Sequence, residues 1–514
     1  MLNLFELLAK IKREFSKKEL FSILLLTVVF FATRLIYLDR FPIFTDEGIY
    51  IHWANLAWHD ASWRFVSLTD GRQPLQTWGT IPFLKLFPDN LLLGGRLFGV
   101  FSGFFGLIGM YVLTRYLFGK RAASVAGLLF IITPFYLFFD RLAMVDSFAL
   151  ASSIWIFFLS ILLVRTLRLD VALIFGLLAG FFLLAKSNTA LFFGLALFAP
   201  LARFTKNMKK NAVLSINYGV LYIVAGALAF LIYSVQMLSP YLHYVGEKNK
   251  TFVLTFSEFL SSPFLVFWHN VVHIPYYVIW NLGIMTFVLG TIGIVVLFKR
   301  DKFLSLYFIF WFIIPYGILS FFMRILSSRY VIFLSLLFIP TAAYFIASRF
   351  RKKFCMWCMA VLILTYSFTL YFDYTIINDY KKIPFVPVDY GQYIEGWPAG
   401  WGAKEIIEYA RDKSKEKDVV ILAEGDFGMT GDVLTSLLKR SDKITIKAYW
   451  PLTEKNINEN LKETESKYVY AVFSMRKDKK VDIPSSWPLT LIQAYPHPGG
   501  LDALQLYMLK EPAK

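Results

Sequence analysis

Apolar runs long enough to cross a bilayer alternate with short polar stretches over the first 372 residues. Such runs recur near 20–38, 92–114, 122–139, 147–164, 171–185, 190–203, 213–236, 276–298, 303–322, 330–348 and 355–372. They predict about eleven membrane-spanning helices, because a span needs roughly 20 mostly apolar residues. From 402 the pattern changes. Residues 402–414, 430–440 and 453–465 read as helices, and 418–423, 443–449 and 468–473 as short apolar strands. Residues 489–495 and 503–509 read as a closing hairpin. Helices alternating with strands predict a small α/β sheet. The expected fold is therefore a multi-span α-helical membrane protein with a C-terminal α/β domain.

The basic residues supply the orientation. Arg115/Lys120/Arg121, Arg165/Arg168, Arg203/Lys206/Lys209/Lys210, Lys299/Arg300/Lys302 and Arg349/Arg351/Lys352/Lys353 fall in every second loop, on the side of Lys10, Lys12 and Arg13. The positive-inside rule makes that side cytoplasmic. The expected organisation is a basic cytoplasmic segment at 1–19 and a transmembrane region at 20–372 with external loops at 39–91 and 237–275. A connector at 373–401 and an extracytoplasmic domain at 402–514 follow. The first apolar run is long enough to stay as an anchor rather than a cleaved signal.

Composition agrees with a multi-pass protein of the cell membrane. The 514 residues are 57% hydrophobic and 17% charged, against about 25% charged in soluble proteins. The net charge of +17 follows from the cytoplasmic clusters and calls for no nucleic-acid partner. Two cysteines, Cys355 and Cys358, exclude a disulfide framework and read as packing residues.

Candidate chemistry sits where the chain leaves the first span, at Phe44-Thr45-Asp46-Glu47-Gly48-Ile49-Tyr50. Adjacent acids at a bilayer edge are costly unless solvated, paired or used. Their ordinary use is at the start of a helix, with Thr45 or Asp46 as its cap. The same loop continues Asp70-Gly71-Arg72-Gln73-Pro74-Leu75. Asp140-Arg141 and Asp146 close the third run, Lys186 follows the fifth, and Arg324 and Ser328-Arg329-Tyr330 precede the tenth. His269 and His273, four apart, read as interfacial side chains, and His52 and His59 as structural ones. Gly425-x-x-Gly428-x-x-Gly431 lacks the nucleotide-binding spacing and reads as a tight turn.

Asp-Glu-x-x-Tyr after the first span, then a basic residue with Pro-Leu before the second, resembles the GT-C glycosyltransferases. The resemblance is to their protein O-mannosyltransferase and aminoarabinose-transferase group. It extends over Asp140–Ser147, Leu184–Thr189 and Ser328–Tyr330, within residues 20–350. The family often has Lys-Pro-Pro where this chain has Arg72-Gln73-Pro74, which keeps the positive charge. The resemblance implies a polyprenyl-phosphate sugar as donor, Asp46 as base, and a protein, glycolipid or polysaccharide acceptor. Glu47 is then expected to bind acceptor or sugar, or to orient Asp46, and Asp146 to support the acids. Arg72, Gln73, Arg141, Lys186, Arg324, Arg329 and Tyr50 are the expected contacts to phosphate or sugar. Asp46 with Asp146 is the candidate pair for a divalent ion, which favours clustered carboxylates. The external domain is placed to cover the cavity or select acceptors.

The chemistry asks for such a set independently. A sugar phosphate carries its own leaving group, so a base for the acceptor and cations for the phosphate suffice. Transporters, including lipid-sugar flippases, are the alternative. They commonly show inverted repeats and midplane charges, whereas here the charges sit at outer helix ends and no repeat is visible. A non-catalytic sugar- or lipid-binding scaffold is the third reading.

Overall fold

The computed structural model describes residues 15–349, 364–425, 428–477, 481, 483–500 and 502–510. Cys355, Cys358, Lys10, Lys12, Arg13 and the first half of the expected 355–372 span lie outside them. Five described helices are long and apolar enough to cross a membrane: Leu91–Phe118, Asp146–Thr166, Met208–Leu238, Lys302–Phe322 and Ile332–Arg349. Counting each bent pair as one span raises the number to seven among the described residues. The first expected span is the Lys17–Leu35 helix, which carries Lys17, Lys18, Glu19 and Arg34 at its ends.

Three expected spans are broken, each where the sequence forces it. The run at 122–139 divides into Lys120–Ile131 and Pro134–Asp140, bent by 63°, because Pro134 cannot continue the hydrogen-bond ladder. The run at 190–203 divides into Thr189–Ala196 and a 3-10 turn at Ala199–Arg203 around Pro200. The run at 276–298 straddles Gly283, whose φ of +90° suits a residue without Cβ. The chain turns there by 106° between Phe267–Leu282 and Ile284–Arg300, so 276–282 belong to the preceding helix. The second external loop contains the short helices His243–Phe252 and Phe256–Ser261.

The C-terminal region is a five-stranded sheet of β1 (Val419–Glu424), β2 (Ile444–Tyr449), β3 (Tyr468–Met475), β4 (Leu489–Pro496) and β5 (Ala503–Leu509). Its order is β2-β1-β3-β5-β4. β1 runs parallel to β2 and β3, while β3, β5 and β4 are antiparallel neighbours. β1 is buried along its whole length, as a central parallel strand covered on both faces must be.

The membrane region is held by close helix contacts. A Cβ on Gly293 would lie 2.1 Å from the Thr341 carbonyl oxygen and one on Gly290 2.7 Å from that of Phe338. The Ile284–Arg300 and Phe338–Arg349 helices therefore meet backbone to backbone, as small residues permit in lipid. Gly293→Ala is expected to force them apart at a cost of about 1–3 kcal/mol. A thermal midpoint in detergent equal to wild type contradicts this packing.

Candidate active site

The Thr45–His59 helix presents the two acids in different directions, because successive residues lie about 100° apart around a helix. Glu47 turns inward and is 0% exposed. Arg96 grips it with two 2.9 Å hydrogen bonds, from Nε and Nη2. The Phe44 and Ala143 amides donate to the same carboxylate at 3.0 and 2.8 Å. Arg96 also donates to the carbonyls of Leu38 and Pro42. Every oxygen of Glu47 is thus occupied by structure. Of the two expected roles for Glu47, contact to acceptor or sugar and orientation of Asp46, this geometry suits the second, because it fixes the start of the helix that carries both acids.

Asp46 turns toward two arginines, of which Arg72 lines a cavity. Arg329 Nη1 donates to its Oδ2 at 2.6 Å, and Arg72 Nη2 lies 3.7 Å from Oδ1. Burial pushes its carboxyl up, but Arg72 and Arg329 outweigh that and hold it down at about 2. Arg72 also donates to Asp70 at 3.1 Å and to the Tyr50 hydroxyl at 3.0 Å. Lys248 donates to Asp70 at 2.6 Å, and Lys186 to Asp146 at 2.6 Å. The cavity beside these groups has a volume of about 430 Å³. Its lining includes polar side chains, Tyr50, Arg72, Gln73, Lys186, Lys248 and Tyr330, and apolar ones, Leu191, Phe252, Leu319, Met323 and Phe333.

The structure thus gathers Asp46, Tyr50, Arg72, Gln73, Asp146, Lys186 and Arg329 in one place. It does not bring Arg141 or Arg324 there. Arg141 donates to the carbonyls of Thr33, Arg34 and Tyr37, closing the end of the Lys17–Leu35 helix, whose last carbonyls lack internal donors. Arg324 pairs with Glu258 at 2.6 Å with both side chains partly in solvent. Lys248, which joins this cluster through Asp70, was missed. Its signal was the polar run Glu247-Lys248-Asn249-Lys250 in the otherwise aromatic second loop.

The carboxylates do not fit a divalent ion. Asp46 is taken by two guanidinium groups and Asp146 by an ammonium. Among the described residues no three His, Cys, Asp or Glu side chains come together as a ligand set. His269 and His273 stack at 4.0 Å between ring centroids on an exposed face away from these groups.

Behind Arg329, Ser328 donates to Asp389 at 2.6 Å. Burial raises the Asp389 carboxyl to about 7. Tyr393 packs its ring 4.8 Å from that of Phe44. The connector therefore forms the rear wall of the site.

No family model matches the sequence, and no curated protein matches it. Solved structures do match the fold. ArnT from Cupriavidus metallidurans, an aminoarabinose transferase, has a TM-score of 0.59 both in the apo state (13% identity) and bound to undecaprenyl phosphate (14%). Each alignment covers 95% of this chain and 97% of that one. The archaeal oligosaccharyltransferase AglB from Archaeoglobus fulgidus, in complex with an inhibitory peptide and a dolichol-phosphate, has a TM-score of 0.51 at 13% identity. That match covers 89% of this chain and 69% of the other. The chain therefore shares the fold of these membrane proteins, a helical domain with apolar candidate spans followed by a small C-terminal sheet domain.

Arg96→Ala leaves Glu47 charged and unpaired, and is expected to cost about 3–5 kcal/mol. Loss of monodisperse protein in detergent is the readout, and a variant as stable as wild type contradicts the pinning role. Asp389 binds its proton more tightly folded than unfolded, where its value is 3.8. Stability is therefore expected to fall as pH rises from about 4 to about 7 and then level off. Asp389→Asn should remove that slope from the thermal midpoint; an unchanged slope contradicts the assignment.

Proposed function

We propose that this protein is a membrane glycosyltransferase that moves a sugar from a polyprenyl-phosphate donor to an acceptor hydroxyl at the outer face, with inversion. The observation that carries this reading is an ionised carboxylate, Asp46, held by arginines beside a cavity whose lining combines the cations Arg72, Lys186 and Lys248 with apolar side chains. A lipid-linked sugar phosphate has that same division. The ArnT and AglB structures that share the fold hold undecaprenyl phosphate and a dolichol-phosphate, which supports a lipid phosphate here.

The charges favour a monophosphate linkage. Arg72, Lys186, Lys248 and Arg329 face Asp46, Asp70 and Asp146. Four cations against three carboxylates leave one positive charge, which matches a sugar phosphodiester rather than a diphosphate. Arg72 offers the bidentate fork that suits phosphate, and Lys186 and Lys248 add point charges.

In the proposed reaction the acceptor oxygen attacks the anomeric carbon and its proton passes to Asp46. The bond from that carbon to the phosphate oxygen breaks, and polyprenyl phosphate leaves against the cations. One displacement inverts the anomeric centre. While Arg72 and Arg329 hold it, Asp46 is a weak base. A phosphate that draws those guanidinium groups away raises its basicity, so base strength is coupled to donor binding.

The basic ends support the orientation. Arg115, at the far end of the Leu91–Phe118 helix, pairs with Glu19, while Arg96 near the start of that helix reaches the site. The site and the sheet domain then lie outside and the N-terminus in the cytoplasm.

Asp46→Asn is expected to keep polyprenyl-phosphate binding and to lower turnover by about 10²–10⁴. Release of polyprenyl phosphate from a panel of polyprenyl-phosphate sugars measures it. Near-normal turnover removes Asp46 from the reaction.

A further inference from the structure

The helix that carries Asp46 has three differently employed faces. Glu47, Ile51 and Ala54 are all 0% exposed: Glu47 meets Arg96, and Ile51 and Ala54 lie in an apolar core with Leu84, Leu91 and Leu92. Asp46 meets Arg329, and Tyr50, which lines the cavity, meets Arg72. The third face, Thr45, Gly48 and His52, is covered by the C-terminal region.

That cover is close. The Thr45 amide and hydroxyl both donate to the Pro398 carbonyl at 2.9 Å. Phe44 and Ala399 form an antiparallel bridge. A Cβ on Gly48 would lie 2.8 Å from Val433 Cγ2, and one on Gly428 2.4 Å from Thr45 Cγ2. The Ser436 hydroxyl donates to the Gly48 carbonyl at 3.0 Å. His52 Nδ1 is hydrogen-bonded to Asp432 Oδ1, and the Gly428 amide donates to the other oxygen of Asp432 at 2.7 Å. Asp432 is 3% exposed, so its carboxylate is costly to bury unless His52 and Gly428 engage it. Gly428, one of the glycines that read as a tight turn, thus lies against the start of the Asp46 helix.

We propose that the C-terminal α/β domain positions Asp46. His52, Asp432 and Ser436 are positioning residues: they lock the first two turns of the Thr45–His59 helix, and through them the aim of the carboxylate. The domain acts from behind the helix rather than as a lid over the cavity, since none of these contacts lies on the cavity face. The reach is short. His52 is six residues from Asp46, under two turns, and a misplacement of about 1 Å at a reacting group costs about 10²-fold in rate. The catalytic meaning of this clamp rests on the transferase reading above; its mechanical meaning does not.

The test uses the full chain in detergent with His52→Ala and, because that variant alone can unfold the domain, Ser436→Ala. Two quantities are read: hydrogen exchange of the amides at 45–52, and turnover of the polyprenyl-phosphate sugar that wild type uses. Both variants are expected to speed exchange at 45–52 at least about tenfold, with the Leu91–Phe118 helix unchanged. Turnover per donor-binding site is expected to fall about tenfold while donor KM stays within about twofold. His52→Asn, whose amide can take the place of Nδ1, is expected to restore both. A merely structural role instead lowers the number of binding sites at constant turnover per site, with Asn no better than Ala. That result, or unchanged exchange at 45–52, overturns the proposal. If wild type turns over no polyprenyl-phosphate sugar, the transferase reading falls and the exchange arm alone decides whether the domain holds the helix.

Discussion

The buried pair of Glu47 and Arg96 is the constraint on which the outer half of the molecule depends. A fully buried carboxylate and guanidinium are expensive to desolvate, and the geometry offsets that cost only if every remaining hydrogen-bonding group is met. Here two guanidinium nitrogens and two backbone amides meet the carboxylate, and the carbonyls of Leu38 and Pro42 take two of the three remaining donors of the same arginine. The result ties three segments distant in sequence: the exit of the first span, the start of the Leu91–Phe118 helix and the turn at Ala143. With that residue fixed, its neighbour has one direction left, and Asp46 points at the cations.

The cations are themselves held by acids rather than by water. Arg72, Lys186, Lys248 and Arg329 come from four separate segments, and each meets a carboxylate within 4 Å. Such pairing lowers the cost of charge at a membrane edge and keeps the groups in place before a ligand arrives, which is the preorganisation that electrostatic catalysis requires. It also leaves the cluster one positive charge in excess, the property that a singly charged phosphodiester completes. In the proposed reading, the apolar side chains of the cavity lining take the lipid tail.

Much of the architecture was legible in the sequence. The five strands of the C-terminal sheet were each anticipated to within a few residues, because short apolar runs between helices have few other uses. The breaks at Pro134, Pro200 and Gly283 were hidden inside apolar runs, where hydrophobicity outweighs a single residue that bends the chain. The site was half legible. Asp46, Arg72, Lys186 and Arg329 stood out as charges at helix ends, but Glu47 could not be told from Asp46, since adjacent residues look alike in sequence and diverge by about 100° in a helix. Arg141 and Arg324 carried the same signature as Arg329, and only the positions of distant carbonyls and of Glu258 separate them. Lys248 was invisible because its partner Asp70 lies 178 residues away.

The account stands on one spatial claim, that the phosphate of a lipid-linked sugar enters the cationic end of the cavity beside Asp46. An electron cryomicroscopy structure of the full chain with a non-transferable polyprenyl-phosphate sugar analogue measures it directly. The account predicts phosphate oxygens within hydrogen-bonding distance of Arg72 and of Lys186 or Lys248, the tail along Phe252 and Phe333, and the anomeric carbon facing Asp46. A phosphate bound elsewhere, or an anomeric carbon turned away from Asp46, contradicts it.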